Sequence, residues 1–410
     1  MEDMGDKLGL TEHMIVALVD RVKSLMDKYR GCAIIASGVD WKSAFDRVDP
    51  TKATIKLIKL GIRSSLIPIL IDFITERKMS VKFNQAESSL YTLIGGGPQG
   101  SQLGQNQYLV ASYDSAEVVD EENQYKYCDD LQILDLVLLG NLLEEYDFSQ
   151  HVASDIGIGQ KFLPPQNCKT QVNLNTIAQW TDENLMEINE SKSNYLIFTR
   201  SQKQFATRFT INNQHLEHLN ITKILGVWLS EDGSWSKNTQ EIIKKGYTRL
   251  SMLTKLKYAG VEMEDLLEIY ELFIRSCAEY CSVAFHSSLT DTQYRSLERL
   301  QSTCLKVILQ DNYVSYSAAL EMTGIETLYE RREKKCLNFG IKSIKHPQNS
   351  RFFPLNANFD NIRDREKFHV NFARTEDYRE STIPYCQRLL NSHFRSIDLP
   401  VDTKSQIFEY

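Results

Sequence analysis

The sequence of 410 residues predicts an α+β fold: an antiparallel sheet with packed helices, followed by an all-helical region. Three observations carry this. Short apolar or alternating runs at Cys32 to Val39, Met79 to Phe83 and Tyr195 to Phe198 alternate with helical spacings. Tyr127-Cys128-Asp129-Asp130 is bounded by apolar alternations that read as the two strands of a hairpin. After Trp235 only three-to-four spacings remain, in Lys237 to Lys257, Glu264 to His286, Asp291 to Leu309 and Leu328 to Ile344.

In chain order, Met14, Ala17, Leu18, Val22, Leu25 and Met26 mark an amphipathic helix leading into the Cys32 to Val39 strand. Asp49 caps a second helix with Pro50 at its first position, and Gly61 closes it. A helix from Leu66 to Arg77 follows, then a strand through Met79, Val81 and Phe83 with a partner at Tyr91 to Ile94. Residues Gln102 to Val119 read as a helix after a glycine loop. Leu136 to Tyr146 reads as a further helix and Gly157 to Cys168 as loop, so that 136–175 is expected to be a surface insertion. Beyond His346 the chain turns polar and reads as a loosely packed tail.

The chemistry-bearing residues are carboxylates. Adjacent Asp129 and Asp130 at a hairpin tip repel each other, and a buried strand delivers a third, Asp40, at its end. Alone, an Asp pair is usually a solvated turn and a strand-end Asp a cap. Together they suit two hard divalent cations, which can deprotonate an attacking hydroxyl and clamp a phosphoryl group in line. Phe45, five positions after Asp40, reads either as a ring laid against a bound nucleotide's sugar or as a core side chain. Gly95-Gly96-Gly97 allows close backbone approach, Pro98 stiffens the turn and Gln99 offers donor and acceptor. No Gly-Lys-Ser/Thr follows, so this is not a Walker-type loop. Lys192 reads as a source of positive charge for a leaving group or as a solvated side chain.

Composition narrows the class. An apolar fraction of 42% excludes a disordered or collagen-like chain. The longest apolar stretches, such as Leu66 to Ile74, fall short of the roughly 20 residues a membrane span needs, and no secretory signal is visible. Eight scattered cysteines, only Cys277 and Cys281 close together and without histidine partners, suggest an intracellular chain, nuclear or cytoplasmic, with no zinc site. His286 and His346 read as helix-end or surface residues. A net charge of −7 is unusual for a nucleic-acid binder, although Lys244-Lys245, Arg249, Lys255 and Lys257, and separately Arg331-Arg332 with Lys334-Lys335, form basic clusters able to follow a phosphate backbone.

Five stretches in order resemble the reverse transcriptases of non-LTR (LINE-type) retrotransposons. Val39 to Val48 is similar to the family's first palm motif, with Asp40 at the metal-ligand position and Phe45 at the aromatic that excludes a ribose 2′-hydroxyl. Gly97-Pro98-Gln99-Gly100-Ser101 with Leu103-Gly104 resembles the loop under template and incoming nucleotide. Tyr127 to Asp130 resembles the aromatic-x-Asp-Asp box, with Cys128 where Ala is commoner. Asn189 and Lys192 resemble the next palm motif, and Leu225-Gly226-Val227 the primer-grip hairpin. Arg275, Glu279 and Tyr280 resemble a recurring downstream stretch and read as structural.

The resemblance implies an RNA-directed DNA polymerase palm with partial fingers over 1–235, a helical thumb-like domain over 236–345 and a polar tail over 346–410. It implies two Mg²⁺ ions, with Mn²⁺ as a substitute, held by Asp40, Asp129 and Asp130. Lys192 is then catalytic, Phe45, Gly97, Pro98, Gln99, Gly100 and Tyr127 contact nucleotide, and Leu225, Gly226 and Val227 grip the primer. Expected partners are an RNA template, a DNA primer and a deoxynucleoside triphosphate, with no membrane. The opening close to the first motif suggests a copy cut at its 5′ end, and the alternative is a catalytically silent nucleic-acid-binding remnant.

Overall fold

A computed structural model of the chain describes residues 10–98, 101–116, 118–120, 123–139, 144–145, 161–200, 205–347, 349–356 and 366–396. It divides into two compact units, Gly31–Asn220 and a second made of Met1–Arg30 with Ile221–Tyr410. The division thus falls at 220/221 rather than after 235. The first helix, α1 (Leu10–Lys28), belongs with the C-terminal half instead of with the strand it precedes.

The Gly31–Asn220 unit is built on strand β1 (Cys32–Val39), buried along its whole length. Helix α2 (Pro50–Lys59) follows with the expected cap, Asp49 accepting from the Lys52 amide at 2.8 Å, and then α3 (Ile67–Ile74). Two short exposed ribbons come next, Lys78–Met79 against Tyr91–Thr92 and Lys82–Phe83 against Ala86–Glu87. Helix α4 (Gln102–Ser112) is shorter than expected and passes into a 3₁₀ turn, Tyr113–Ala116. Strands β2 (Gln124–Tyr127) and β3 (Asp130–Leu138) form the hairpin; α5 (Lys169–Glu183), β4 (Asn194–Thr199) and β5 (Glu217–His218) follow, with short ribbons between them.

The sheet order is β5-β4-β1-β3-β2, antiparallel except for the parallel pair β4–β5. One face carries Ala33, Ile35 and Val39 beside Leu131, Ile133 and Val137, covered by Leu174, Ile177 and Trp180 of α5 and by Tyr108 of α4. Each buried Val, Leu or Ile among them contributes about 1.5–3 kcal/mol. This period-two burial carries β3 through Leu138, which corrects the expected helix at its start. Most of the remainder of that expected helix lies outside the described residues.

The second unit is mainly helical. A hairpin of β6 (Ile221–Ile224) and β7 (Val227–Ser230) leads into α6 (Ser236–Tyr258) and α7 (Met263–Ile269). A π-helical turn, Tyr270–Arg275, joins α7 to α8 (Ser276–Glu279), and α9 (Asp291–Leu309), α10 (Tyr316–Thr323) and α11 (Leu328–Lys345) follow. Leu250, Leu253, Leu266, Tyr270, Ile274, Leu300 and Leu305 share its core.

Three expectations are corrected here. The basic cluster on α11 is used internally: Arg331 and Lys335 pair with the buried Glu279, Lys334 pairs with Glu326, and Arg332 is fully buried. His286 is buried between the rings of Tyr329 and Tyr385. In its described part, the C-terminal segment is no loose tail. After α12 (Glu376–Arg379), helix α13 (Thr382–Ser396) buries Ile383, Cys386 and Leu390, with Leu390 against Gly340 of α11. Asp27 of α1 accepts from the Arg374 and Thr375 amides, and Lys23 donates to Asp377 at 2.9 Å. The polar composition concealed a sparse i, i+3, i+7 apolar stripe.

Candidate functional site

Strands β1 and β3 pair up to Val39↔Leu131, so the next residue towards the site on each is Asp40 and Asp130. Strand β3 turns back into β2 through the closing pair Tyr127↔Asp130, which puts Cys128 and Asp129 at the tip, Cys128 with φ +54°. The hairpin is therefore where the alternation predicts it. Burial pushes Asp130 up to about 6, with the charges of Asp129 and Asp40 adding to the effect. Asp40 is also raised, first by burial; Lys192 and a hydrogen bond from the Asn189 side chain oppose this, and Asp129 adds to it. The site has excess negative charge, and hard carboxylate oxygens in that setting suit a divalent cation. Among the described residues, however, no three His, Cys, Asp or Glu side chains converge on one metal position.

The loop after Asp40 turns at Ser43, whose carbonyl accepts from the Asp46 and Arg47 amides. It presents Phe45 half-buried, with its ring 4.6 Å from that of Tyr108. The glycine loop lies against this segment: the Gly96 amide donates to Val48 O at 2.8 Å and the Gly97 amide to Phe45 O at 2.7 Å. Gly96 has φ +84°, and a Cβ there would come within 2.9 Å of the Asp46 carbonyl oxygen. Arg77, which sequence reasoning missed, donates to Gly95 O at 2.9 Å and to Gly96 O. Pro98 O accepts from the Ser101 hydroxyl, which also caps α4 through the Gly104 amide at 3.0 Å. Gln99 and Gly100 lie outside the described residues.

Lys192 is exposed on the loop before β4, and Tyr127 is half-buried on β2. Leu225 and Gly226 form the turn of the β6–β7 hairpin, both with positive φ, and Val227 is buried. The Tyr280 hydroxyl donates to Leu225 O at 2.7 Å, a structural role for that residue. This hairpin belongs to the helical unit. Two further lysines carry no signal in the sequence. Lys126 donates to Ser112 O and to Ser115 Oγ at 2.9 Å, and Lys56 to Ala111 O at 2.6 Å, so both hold carbonyls at the end of α4. Burial lowers both, Lys126 to about 8.

No protein-family model matches the chain. It is 23% identical over 311 residues to a Drosophila melanogaster protein described as "Probable RNA-directed DNA polymerase from transposon X-element", a match covering 73% of this chain. The matched part is 30% of that relative's length, so the chain spans under a third of it. Among solved structures, telomerase from Candida albicans in complex with a TWJ fragment of telomeric RNA aligns with 83% of this chain and 53% of its own, at 12% identity and a TM-score of 0.30, too loose a superposition to carry an argument. The chain is thus similar in sequence to part of an RNA-directed DNA polymerase of a transposon.

Proposed function

We propose that the chain carries the polymerising centre of an RNA-directed DNA polymerase, extending a primer 3′-hydroxyl on an RNA template. The observation that supports this most is the arrival of Asp40 and Asp130 side by side at the ends of paired strands, in a field of unbalanced negative charge. In this reading Asp40, Asp129 and Asp130 hold two Mg²⁺ ions, which when bound lower the pKa of the attacking hydroxyl and neutralise charge on the transferred phosphoryl group and pyrophosphate. Lys192, whose charge already acts on Asp40, would supply positive charge to the departing pyrophosphate. Phe45, backed by Tyr108, presents its ring to the sugar. Gly97, Pro98, Gln99 and Gly100 with Tyr127 line the nucleotide, and the Leu225-Gly226 turn, anchored by the buried Val227, contacts the primer. The template is held by shape and backbone contacts.

The second reading is a silent remnant that binds nucleic acid without chemistry. Primer extension on an RNA template with four deoxynucleotides and Mg²⁺ or Mn²⁺ separates the two. Extension by the chain that disappears in Asp129→Ala supports the polymerase. Template binding without extension by either protein supports the remnant.

A further inference from the structure

The β1–β4 ladder runs from Ala33↔Thr199 to Gly38↔Asn194 and resumes as the single bridge Trp41↔Ile188. Residues 189–193 loop out in between, opposite only Val39 and Asp40, so the pairing is broken at Asp40. A bulge of this kind re-aims the residue beside it. The loop takes over the hydrogen bonds that the ladder would have made. The Asp40 amide donates to Ser193 Oγ at 3.1 Å, and Asp40 O accepts from the Asn189 amide at 2.8 Å. The Ser193 hydroxyl is buried and donates onward to Asn189 O at 2.9 Å. Ser191 donates to Asn189 Oδ1 at 2.8 Å, which leaves the amide nitrogen of that side chain for the Asp40 carboxylate. One loop therefore holds the Asp40 backbone at both ends and its side chain as well.

We infer that Ser193 and Asn189 are positioning residues that aim the Asp40 carboxylate at the bound cation. The inference rests on the reading of Asp40 as a metal ligand. A loop that merely closed the sheet would affect folding, but not the affinity of a cation that Asp40 could still reach. Groups bonded to a ligand from outside the metal's own shell change metal affinity when removed.

The test is a Mn²⁺ titration of the full chain, following free Mn²⁺ by electron paramagnetic resonance, for wild type, Asp40→Asn, Asn189→Ala, Ser193→Ala and Ser193→Thr. Both alanine variants are expected to bind Mn²⁺ about tenfold more weakly, while Ser193→Thr, which keeps the hydroxyl, binds more tightly than Ser193→Ala. In primer extension the same variants lower kcat with the KM for deoxynucleotide unchanged. If Asp40→Asn loses Mn²⁺ but both folded alanine variants bind within twofold of wild type, the positioning role is overturned and the metal-ligand reading stands. If Asp40→Asn binds like wild type, that reading fails and the inference with it. Should Ser193→Ala not fold, the half-exposed Asn189 decides the question alone.

Discussion

The Lys56 ammonium donates to Asp114 Oδ1 at 2.7 Å inside the fold, where its side chain is 7% exposed. Trp180 Nε1 donates to the same oxygen at 3.2 Å, and the lysine lies 4.9 Å from the centre of the Trp180 ring. A buried charge with one acidic partner is costly to orphan. Asp114→Ala is expected to lower the unfolding free energy by about 2 kcal/mol, somewhat below the usual range for buried pairs because Asp114 is partly exposed. Lys56→Met with Asp114→Leu should cost less than the sum of the single changes. Urea unfolding of wild type, Asp114→Ala, Lys56→Met, Asp114→Leu and the Lys56→Met/Asp114→Leu double variant checks this, and strict additivity of the last three would show the two groups to be uncoupled.

Gly96 and Gly61 both have positive φ, but only Gly96 has a backbone neighbour where a Cβ would go. Gly61→Ala should cost about 1 kcal/mol, the strain of the conformation alone. Gly96→Ala should cost about 2–3 kcal/mol and shift the glycine loop off the Phe45 segment, which on the proposed polymerase function reduces nucleotide incorporation more than tenfold. Thermal melts and extension assays on both variants give the comparison. Equal effects would mean the close approach to Asp46 carries no weight.

His286 is held down to about 3, chiefly by burial and then by the neighbouring Arg332. The folded pKa lies below the ordinary 6.5, so the unfolded chain takes up a proton that the folded chain refuses. Its contribution is therefore intact above pH 6.5 and is lost as the pH falls from there towards 3. His286→Phe should flatten that part of the stability profile, narrowing the loss between pH 7.5 and 5 by about 1–2 kcal/mol. Denaturant melts at several pH values read it directly; parallel profiles for the two proteins would remove the histidine from the explanation.

Asp20 on α1 acts in the opposite direction. Burial lifts it to about 7, and Oδ1 has no hydrogen-bond partner. A carboxyl whose folded pKa is raised above its ordinary 3.8 contributes stability below that value and loses it as the pH rises through about 7. Asp20→Asn should stabilise the chain at pH 8 by about 1–2 kcal/mol and have no stabilising effect at pH 4. A gain of the same size at both pH values would point to packing rather than charge.

Much of the sheet unit was legible because its signals are local. Apolar runs placed β1, β4 and the start of β3, the Asp49-Pro50 pair placed the start of α2, and the hairpin with Asp129 at its tip followed from the residues on either side. Arg77, Lys56 and Lys126 were not legible. A lone cation in a polar stretch reads as solvated, and only the folded chain shows which carbonyls it meets. The membership of α1 was equally hidden, because its amphipathic spacing says that one face is buried but not against what.

The sequence by itself determined the central strands, the start of α2 and which carboxylates sit at strand ends, since these follow from periodicity and turn chemistry within a few residues. The tertiary structure alone decided what holds them. Ser193 reaches the Asp40 amide across 153 positions, and Thr375 reaches Asp27 across 348. Such bonds form because a broken ladder or a helix end leaves buried polar groups that must be satisfied, and the partner is whichever side chain the packed chain brings within reach.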